Sequence, residues 1–379
     1  MNSNKTSDTW CPLPWVHQFI VPDGIKTCCQ GLQLESTGPS KFFKSDLINS
    51  VRQSILDNKL HSNCRHCTNM ERKGFTSTRQ ESVEFYKDLT PINIKSQIEY
   101  LDLRYSNLCN FACRTCEPSF SSKIINEIDQ HSELKAFYPL VNKNNAYSEI
   151  AQDLKDILPT VKRINFTGGE PLLIKDNIKI LTELLHLGRI DCEIMITTNA
   201  SVINPQWLSL LSQFQTVHWT ISIDGVGPYA EYIRYGSVWA QIEKNIKDIL
   251  SRRHSVAFNT VLSSYSVLDI DNLVSFFVNS KKIAQGPLEL MFHMCMQPKY
   301  LNPSVLDAQL SHNASIKIRN AIQLLSKVTD NPPLAIDTLE NTLKILNTSD
   351  ELLRAKFIEF TATVDRIRNQ NFYKLTQGA

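Results

Sequence analysis

Three cysteines, Cys109, Cys113 and Cys116, stand at C-x3-C-x2-C spacing in the stretch Ser106-Asn107-Leu108-Cys109-Asn110-Phe111-Ala112-Cys113-Arg114-Thr115-Cys116. Thiolates on so short a loop can turn toward one metal centre, yet three of them fill only three positions. A four-iron, four-sulfur (4Fe-4S) cluster held this way keeps one iron without a protein ligand. A small molecule with an amine and a carboxylate can chelate that iron and receive an electron from the cluster. The same spacing also suits a zinc knuckle, and three buried thiols can simply pack as small hydrophobes.

The elements that must position this loop are strands. Residues 98–104 (IEYLDLR) read as a strand leading straight into it, and some sixty residues later comes a second strand, Arg163-Ile164-Asn165-Phe166, ending in Thr167-Gly168-Gly169-Glu170-Pro171. Two glycines let backbone approach a ligand closely, and the carboxylate that follows can accept from an ammonium group. The cysteine loop together with Gly-Gly-Glu-Pro resembles the radical S-adenosylmethionine (radical SAM) enzymes. That resemblance implies that Cys109, Cys113 and Cys116 hold a 4Fe-4S cluster and that the methionine part of SAM chelates its fourth iron. It further implies that Gly168, Gly169, Glu170 and Pro171 help to hold SAM. The implied reaction is reductive cleavage of SAM to methionine and a deoxyadenosyl radical, which abstracts hydrogen from substrate. Thr115 stands where the family often carries an aromatic residue packed near the adenine.

A second cysteine group, Cys11, Cys28, Cys29, Cys64 and Cys67, precedes residue 70. The chain runs from Cys11-Pro-Leu-Pro-Trp15 into a strand at 17–21, a Pro22-Asp23-Gly24 turn and a returning strand that reaches Cys28-Cys29. A helix starting at Asp46 and capped by Ser45 then delivers the C-x2-C pair Cys64 and Cys67. Four thiolates from these places can complete a second cluster or, equally, a tetrahedral zinc site. Adjacent strand residues point to opposite faces, which leaves Cys28 and Cys29 as alternatives. His61 and His66 offer substitute ligands, with surface histidines beside the site as the plainer reading. The order of cysteines, hairpin and C-x2-C pair is similar to the SPASM and twitch auxiliary-cluster modules of radical SAM enzymes. Its place ahead of the core suits the N-terminal twitch group.

From residue 98 the pattern repeats strand, loop and helix, with strands expected at 98–103, 161–166, 193–197, 217–223, 256–261 and 288–295. Helices are expected at 147–158, at 178–187 ahead of Gly188, and after the Asn204 N-cap with Pro205 at the first helical position. These units predict an α/β chain whose core is a partial (β/α)6 TIM-like barrel, with ligands at the carboxyl ends of its strands. Val217, Trp219, Ile221 and Ile223 alternate with His218, Thr220, Ser222 and Asp224, so one face of that strand lines a polar lumen. Glu193, Thr197 and Asn199 share such a face, as do Glu289, His293 and Cys295. By resemblance Asn199, Ser222 and Asp224 contact the ribose or methionine of SAM, and Arg234 its carboxylate or the substrate. A satisfied buried polar layer and a surface ion pair are the respective structural alternatives. Beyond Pro298 the pattern is helical, and Ile358, Phe360, Val364 and Ile367 suit a helix packed on the barrel.

Three parts follow: a cysteine-rich module at 1–92, the barrel at 93–300 and a helical extension at 301–379. The chain has 379 residues, 42% of them hydrophobic, which suffices for a sizeable core, and its formal net charge of +2 gives no argument for a nucleic-acid binder. Eight of the ten cysteines in two short-range sets, with Cys192 and Cys295 standing alone, no apolar run of membrane-spanning length and no export signal point to a cytoplasmic protein. The resemblance implies a peptide or small-molecule substrate and a reducing donor such as flavodoxin or ferredoxin. A zinc-stabilised binding module and an electron-transfer protein without SAM chemistry are the competing readings. The first would be colourless and the second would ignore SAM.

Overall fold

The computed structural model describes residues 9–32, 34, 38–72, 76–138, 150–328, 333–348 and 350–377. Ten strands occur among them: β1 (His17–Val21), β2 (Gly24–Lys26), β3 (Tyr100–Leu103), β4 (Ala112–Cys113), β5 (Arg163–Phe166), β6 (Glu193–Thr198), β7 (Val217–Ser222), β8 (Arg234–Tyr235), β9 (Ser255–Leu262) and β10 (Leu288–Met294). Eight of them form one sheet in the order β10-β9-β7-β6-β5-β3-β1-β2. The six expected barrel strands pair in parallel along it, joined by helices such as Lys175–His186 and Trp239–Leu250. This is the open, partial barrel that the repeating pattern predicts.

The sheet continues past the barrel. β1 lies parallel to β3, with Phe19 opposite Asp102, and β2 turns back antiparallel on β1. The amino-terminal hairpin therefore extends the barrel sheet, and its Ile20 and Ile25 belong to the main hydrophobic core. Trp10, Trp15, Val16, Val51 and Ile55 form a small core of their own, closed by the helix Asp46–Leu56 with Ser45 as its N-cap.

Alternation sorts the two faces of the sheet. Leu101, Leu103, Ile164, Phe166, Ile194, Ile196, Trp219, Ile221 and Phe258 are all buried beneath the outer helices. The residues between them share the inner face in register, Asp102 beside Asn165, Asn165 beside Met195, and Met195 beside His218. On the open edge strand β10 that face is bare, so Glu289 and His293 are exposed while Cys295 is buried.

Two expected helices differ. Of the one expected at 147–158, residues 147–149 lie outside the described residues and the rest makes a single turn, Ile150–Asp153. Beyond it Lys155 and Ile157 bond back three residues, and Pro159 enters a 3₁₀ turn that buries Leu158. In the carboxyl-terminal helix Glu351–Arg368 the buried stripe is Phe357, Phe360, Thr361, Val364 and Arg368. Ile358, expected on that stripe, lies one residue off it and is exposed. Among the described residues no helix is long and apolar enough to cross a membrane.

Candidate active site

The cysteine loop is pressed onto the end of β5 by backbone contact. Gly169 donates to the Ser106 carbonyl at 3.1 Å and Glu170 to the Leu108 carbonyl at 2.7 Å. A Cβ on Gly169 would lie 2.2 Å from the Leu108 oxygen, and one on Gly168, whose φ is +120°, would lie 2.7 Å from the Ser106 oxygen. The close approach that two glycines permit is thus to the cysteine loop itself. The loop's far end is fixed by a second pairing, where β4 meets β8 and sets Cys113 opposite Arg234.

Glu170 is wholly buried and its carboxylate is occupied: the Thr198 hydroxyl and Asn199 N–H each donate to it at 2.7 Å, and the Leu172 N–H at 3.2 Å. Burial pushes Glu170 up to about 7, against the pull of those donors. Its role here is to fix the turn that carries Asn199, whose amide in turn donates to Asn110 of the cysteine loop at 3.0 Å. Asp224 is also buried, pairing with Arg234 at 2.9 Å and accepting from the Val261 N–H at 2.8 Å. Pro171 begins a buried 3₁₀ turn.

At the carboxyl ends of the strands these parts surround a cavity of about 840 Å³. Cys109, Cys113, Cys116, Gly168, Gly169, Asn199, Ser222 and Arg234 line it, as does Thr115, whereas Glu170, Pro171 and Asp224 stand behind its wall. Part of the remaining lining, Phe137, Tyr138, Lys299, Tyr300, Leu353 and Lys356, comes from segments in which the sequence showed no chemistry. Desolvation, then the neighbouring Cys113 charge, raises the Cys109 thiol to about 12, and burial raises Cys113 and Cys116 as well. Thiols so placed ionise only against a strong positive centre.

Below the cavity, Asp102 faces the lumen, with Asn165 donating to it at 3.2 Å. Burial raises Asp102 to about 7, while Arg104 and Asn165 pull it down. The folded chain therefore binds a proton that the unfolded chain releases near pH 4, and the associated stability is lost as pH rises toward 7. Relative to Asp102→Asn, the wild-type protein is expected to lose roughly 2 kcal/mol between about pH 5.5 and pH 8. Denaturant unfolding of the two proteins at both pH values measures this, and parallel pH profiles would remove the assignment.

The amino-terminal cysteines separate cleanly. Cys11, Cys28, Cys64 and Cys67 line one cavity with His61, His66 and Arg79, while Cys29 is exposed and outside it, close to Asp102. Burial raises Cys28 to about 12 and Cys64 to about 11. All ten cysteines are free thiols. Among the described residues no three His, Cys, Asp or Glu side chains converge as ligands of a single ion. A cubane differs from a single ion in bonding each thiolate to its own iron.

Residues 103–277 match the Radical SAM superfamily. This chain carries a radical SAM domain. Among curated proteins it is 25% identical over 263 residues to the radical SAM cyclopropyl synthase TigE of Paramaledivibacter caminithermalis, covering 63% of this chain and 54% of that protein. It is 27% identical over 178 residues to a GTP 3′,8-cyclase of a Sulfurovum species, covering 46% and 50%. The chain thus spans about half the length of the curated relatives it matches. Among solved structures, anSMEcpe with bound AdoMet aligns with a TM-score of 0.43 at 18% identity over 60% of each chain. Streptococcus suis SuiB bound to precursor peptide SuiA aligns at 0.39 and 18% over 65% and 53%.

Radical SAM domains use a 4Fe-4S cluster and SAM, and the residues around the large cavity fit that pair. The donor set is three thiols with no fourth thiol and no imidazole in the cavity lining, and the Arg234 guanidinium stands 3.8 Å from Cys113 Sγ. Among the described residues Arg234 Nε is buried without a partner, so the radical SAM domain holds an unspent donor toward an anionic group at this wall.

Proposed function

We propose that the chain is a radical SAM enzyme that cleaves SAM reductively and abstracts hydrogen from a peptide or protein side chain. The observation that carries the reading is that three cysteines of one loop, the Gly168-Gly169 turn, Asn199, Ser222 and Arg234 all face one cavity at the carboxyl ends of the barrel strands. In this reading Cys109, Cys113 and Cys116 ligate the cluster, whose chemistry when bound with SAM is one-electron cleavage of the sulfonium. Arg234, held by Asp224, is set to receive the SAM carboxylate, and Asn199 and Ser222 the ribose or methionine polar groups. Glu170 acts from behind the wall by fixing the Asn199 turn. Cys11, Cys28, Cys64 and Cys67 are proposed to hold a second iron-sulfur cluster, which supports a twitch-like module at 1–92 ahead of the core at 93–300 and the extension at 301–379. The resemblance of that module to those of peptide-modifying enzymes supports the peptide substrate. A cytoplasmic location with flavodoxin or ferredoxin as donor accords with ten free thiols.

Anaerobic reconstitution followed by reduction with SAM present is the test. Wild-type protein is expected to bind about eight irons and to form deoxyadenosine, and Cys113→Ala to form none. Equal background from both proteins would end the enzyme reading. About four irons with one zinc would leave the barrel site and make the amino-terminal site structural.

A further inference from the structure

The family match ends at residue 277, yet the cavity does not. Its remaining wall is built from Lys299 and Tyr300, which follow β10, and from Leu353 and Lys356 of the helix Glu351–Arg368. The charged residues lining the whole cavity are Arg104, Arg234, Lys299 and Lys356 against a single carboxylate, Glu117. Asp224 balances Arg234. Among the described residues Arg104, Lys299 and Lys356 have no ion-pair partner.

Arg104 is the most constrained of the three. Its guanidinium lies 4.7 Å from the ring centre of Phe120 and 5.4 Å from that of Phe19, and its Nε is buried with no acceptor among the described residues. Asp102, two residues before it on the same strand face and deeper in the lumen, is raised by burial to about 7. Across the cavity Lys356 Nζ sits 5.3 Å from the ring centre of Tyr300. Cations held against aromatic faces with unspent donors select a planar anion beside an apolar stem.

We infer that this cavity is an acidic-substrate subsite, in which Arg104 on one side and Lys299 and Lys356 on the other receive carboxylates of Asp or Glu side chains of the substrate peptide. The inference rests on the peptide reading above and adds the charge of the segment that enters.

The experiment uses the full chain, reconstituted anaerobically and saturated with SAM, and calorimetric titration with two heptapeptides that differ only in Glu against Gln at the central positions. The Glu peptide is expected to bind about tenfold more tightly at low salt, with the advantage shrinking as salt rises. Arg104→Gln should bring the ratio close to one. Lys356→Gln, on an exposed helix position where folding is not at risk, should remove part of it, and Arg104→Lys should restore some. Equal binding of both peptides, a preference that survives the double substitution Arg104→Gln with Lys356→Gln, or binding of a nucleoside triphosphate in place of both peptides would overturn the inference. A separate SAM titration keeps the two ideas apart, because loss of SAM binding with the Glu preference intact would count against the SAM reading alone.

Discussion

Glu170→Ala is expected to destabilise the protein by about 3–5 kcal/mol and to weaken SAM binding, although residue 170 does not line the cavity. Three donors converge on this carboxylate, from Thr198, Asn199 and Leu172, and all are buried in the wall between β5 and β6. Removing the acceptor leaves each unsatisfied in a place where water does not replace it, at about 1–3 kcal/mol apiece before relaxation. The consequence reaches the cavity through Asn199, whose backbone N–H is one of the three and whose side chain bonds Asn110 beside Cys109. Glu170→Gln keeps the volume and one acceptor oxygen but turns an amide donor toward existing donors, so it should lie between wild type and Ala. Thermal unfolding and SAM titration measure the two effects. A Glu170→Ala protein with unchanged stability and reduced SAM affinity would instead put the carboxylate in direct contact with SAM.

Glu170 also marks where the sequence was readable and where it stopped. The repeating strand, loop and helix pattern placed all six barrel strands, and the uninterrupted alternation from Val217 to Asp224 marked one covered and one polar face. The motif Gly168-Gly169-Glu170 was equally visible, but its contacts were not. Whether two glycines admit a ligand or a neighbouring loop depends on what the fold brings within 3 Å, and here that is Leu108. The choice of Cys28 over Cys29 for the amino-terminal cavity depended on which way a two-residue bend points. Lys299, Tyr300 and Lys356 carried no signal at all, since a lysine on a helix reads as a solvated face and only tertiary packing sets it over a cavity. The parallel pairing of β1 with β3 was hidden for a related reason: the hairpin turn is local, whereas its partner lies some eighty residues away.

The other large effect is expected from Asp365→Ala, far from the cysteines in sequence. Arg114, between Cys113 and Cys116, has a side chain with no solvent exposure, and its guanidinium lies 3.8 Å from the ring centre of Tyr232. Its charge is met at 2.5 Å by Asp365 of the carboxyl-terminal helix, and Gln370 accepts from the same nitrogen at 2.9 Å. Asp365 also accepts from the Tyr232 hydroxyl at 2.8 Å and from the Phe372 N–H at 2.7 Å. One carboxylate thus ties the cysteine loop, the segment before β8 and the chain's last described helix together. Asp365→Ala strands a buried guanidinium, and breaking such a pair from one side costs about 3–5 kcal/mol. The loop that loses its anchor is the one carrying Cys113 and Cys116, so iron release to a chelator should speed up along with the fall in thermal midpoint. Replacing both partners with apolar residues, Arg114→Met with Asp365→Leu, removes the stranded charge and should recover most of the lost stability. Its recovery of iron retention should be smaller, because the helix then has no polar tie to the cysteine loop itself and is held to the segment after it by packing and by the Arg368–Glu127 and Arg366–Glu133 pairs at 2.6 and 3.1 Å. A double variant no more stable than Asp365→Ala would mean that the cost arises from the Tyr232 and Phe372 contacts and not from the buried charge.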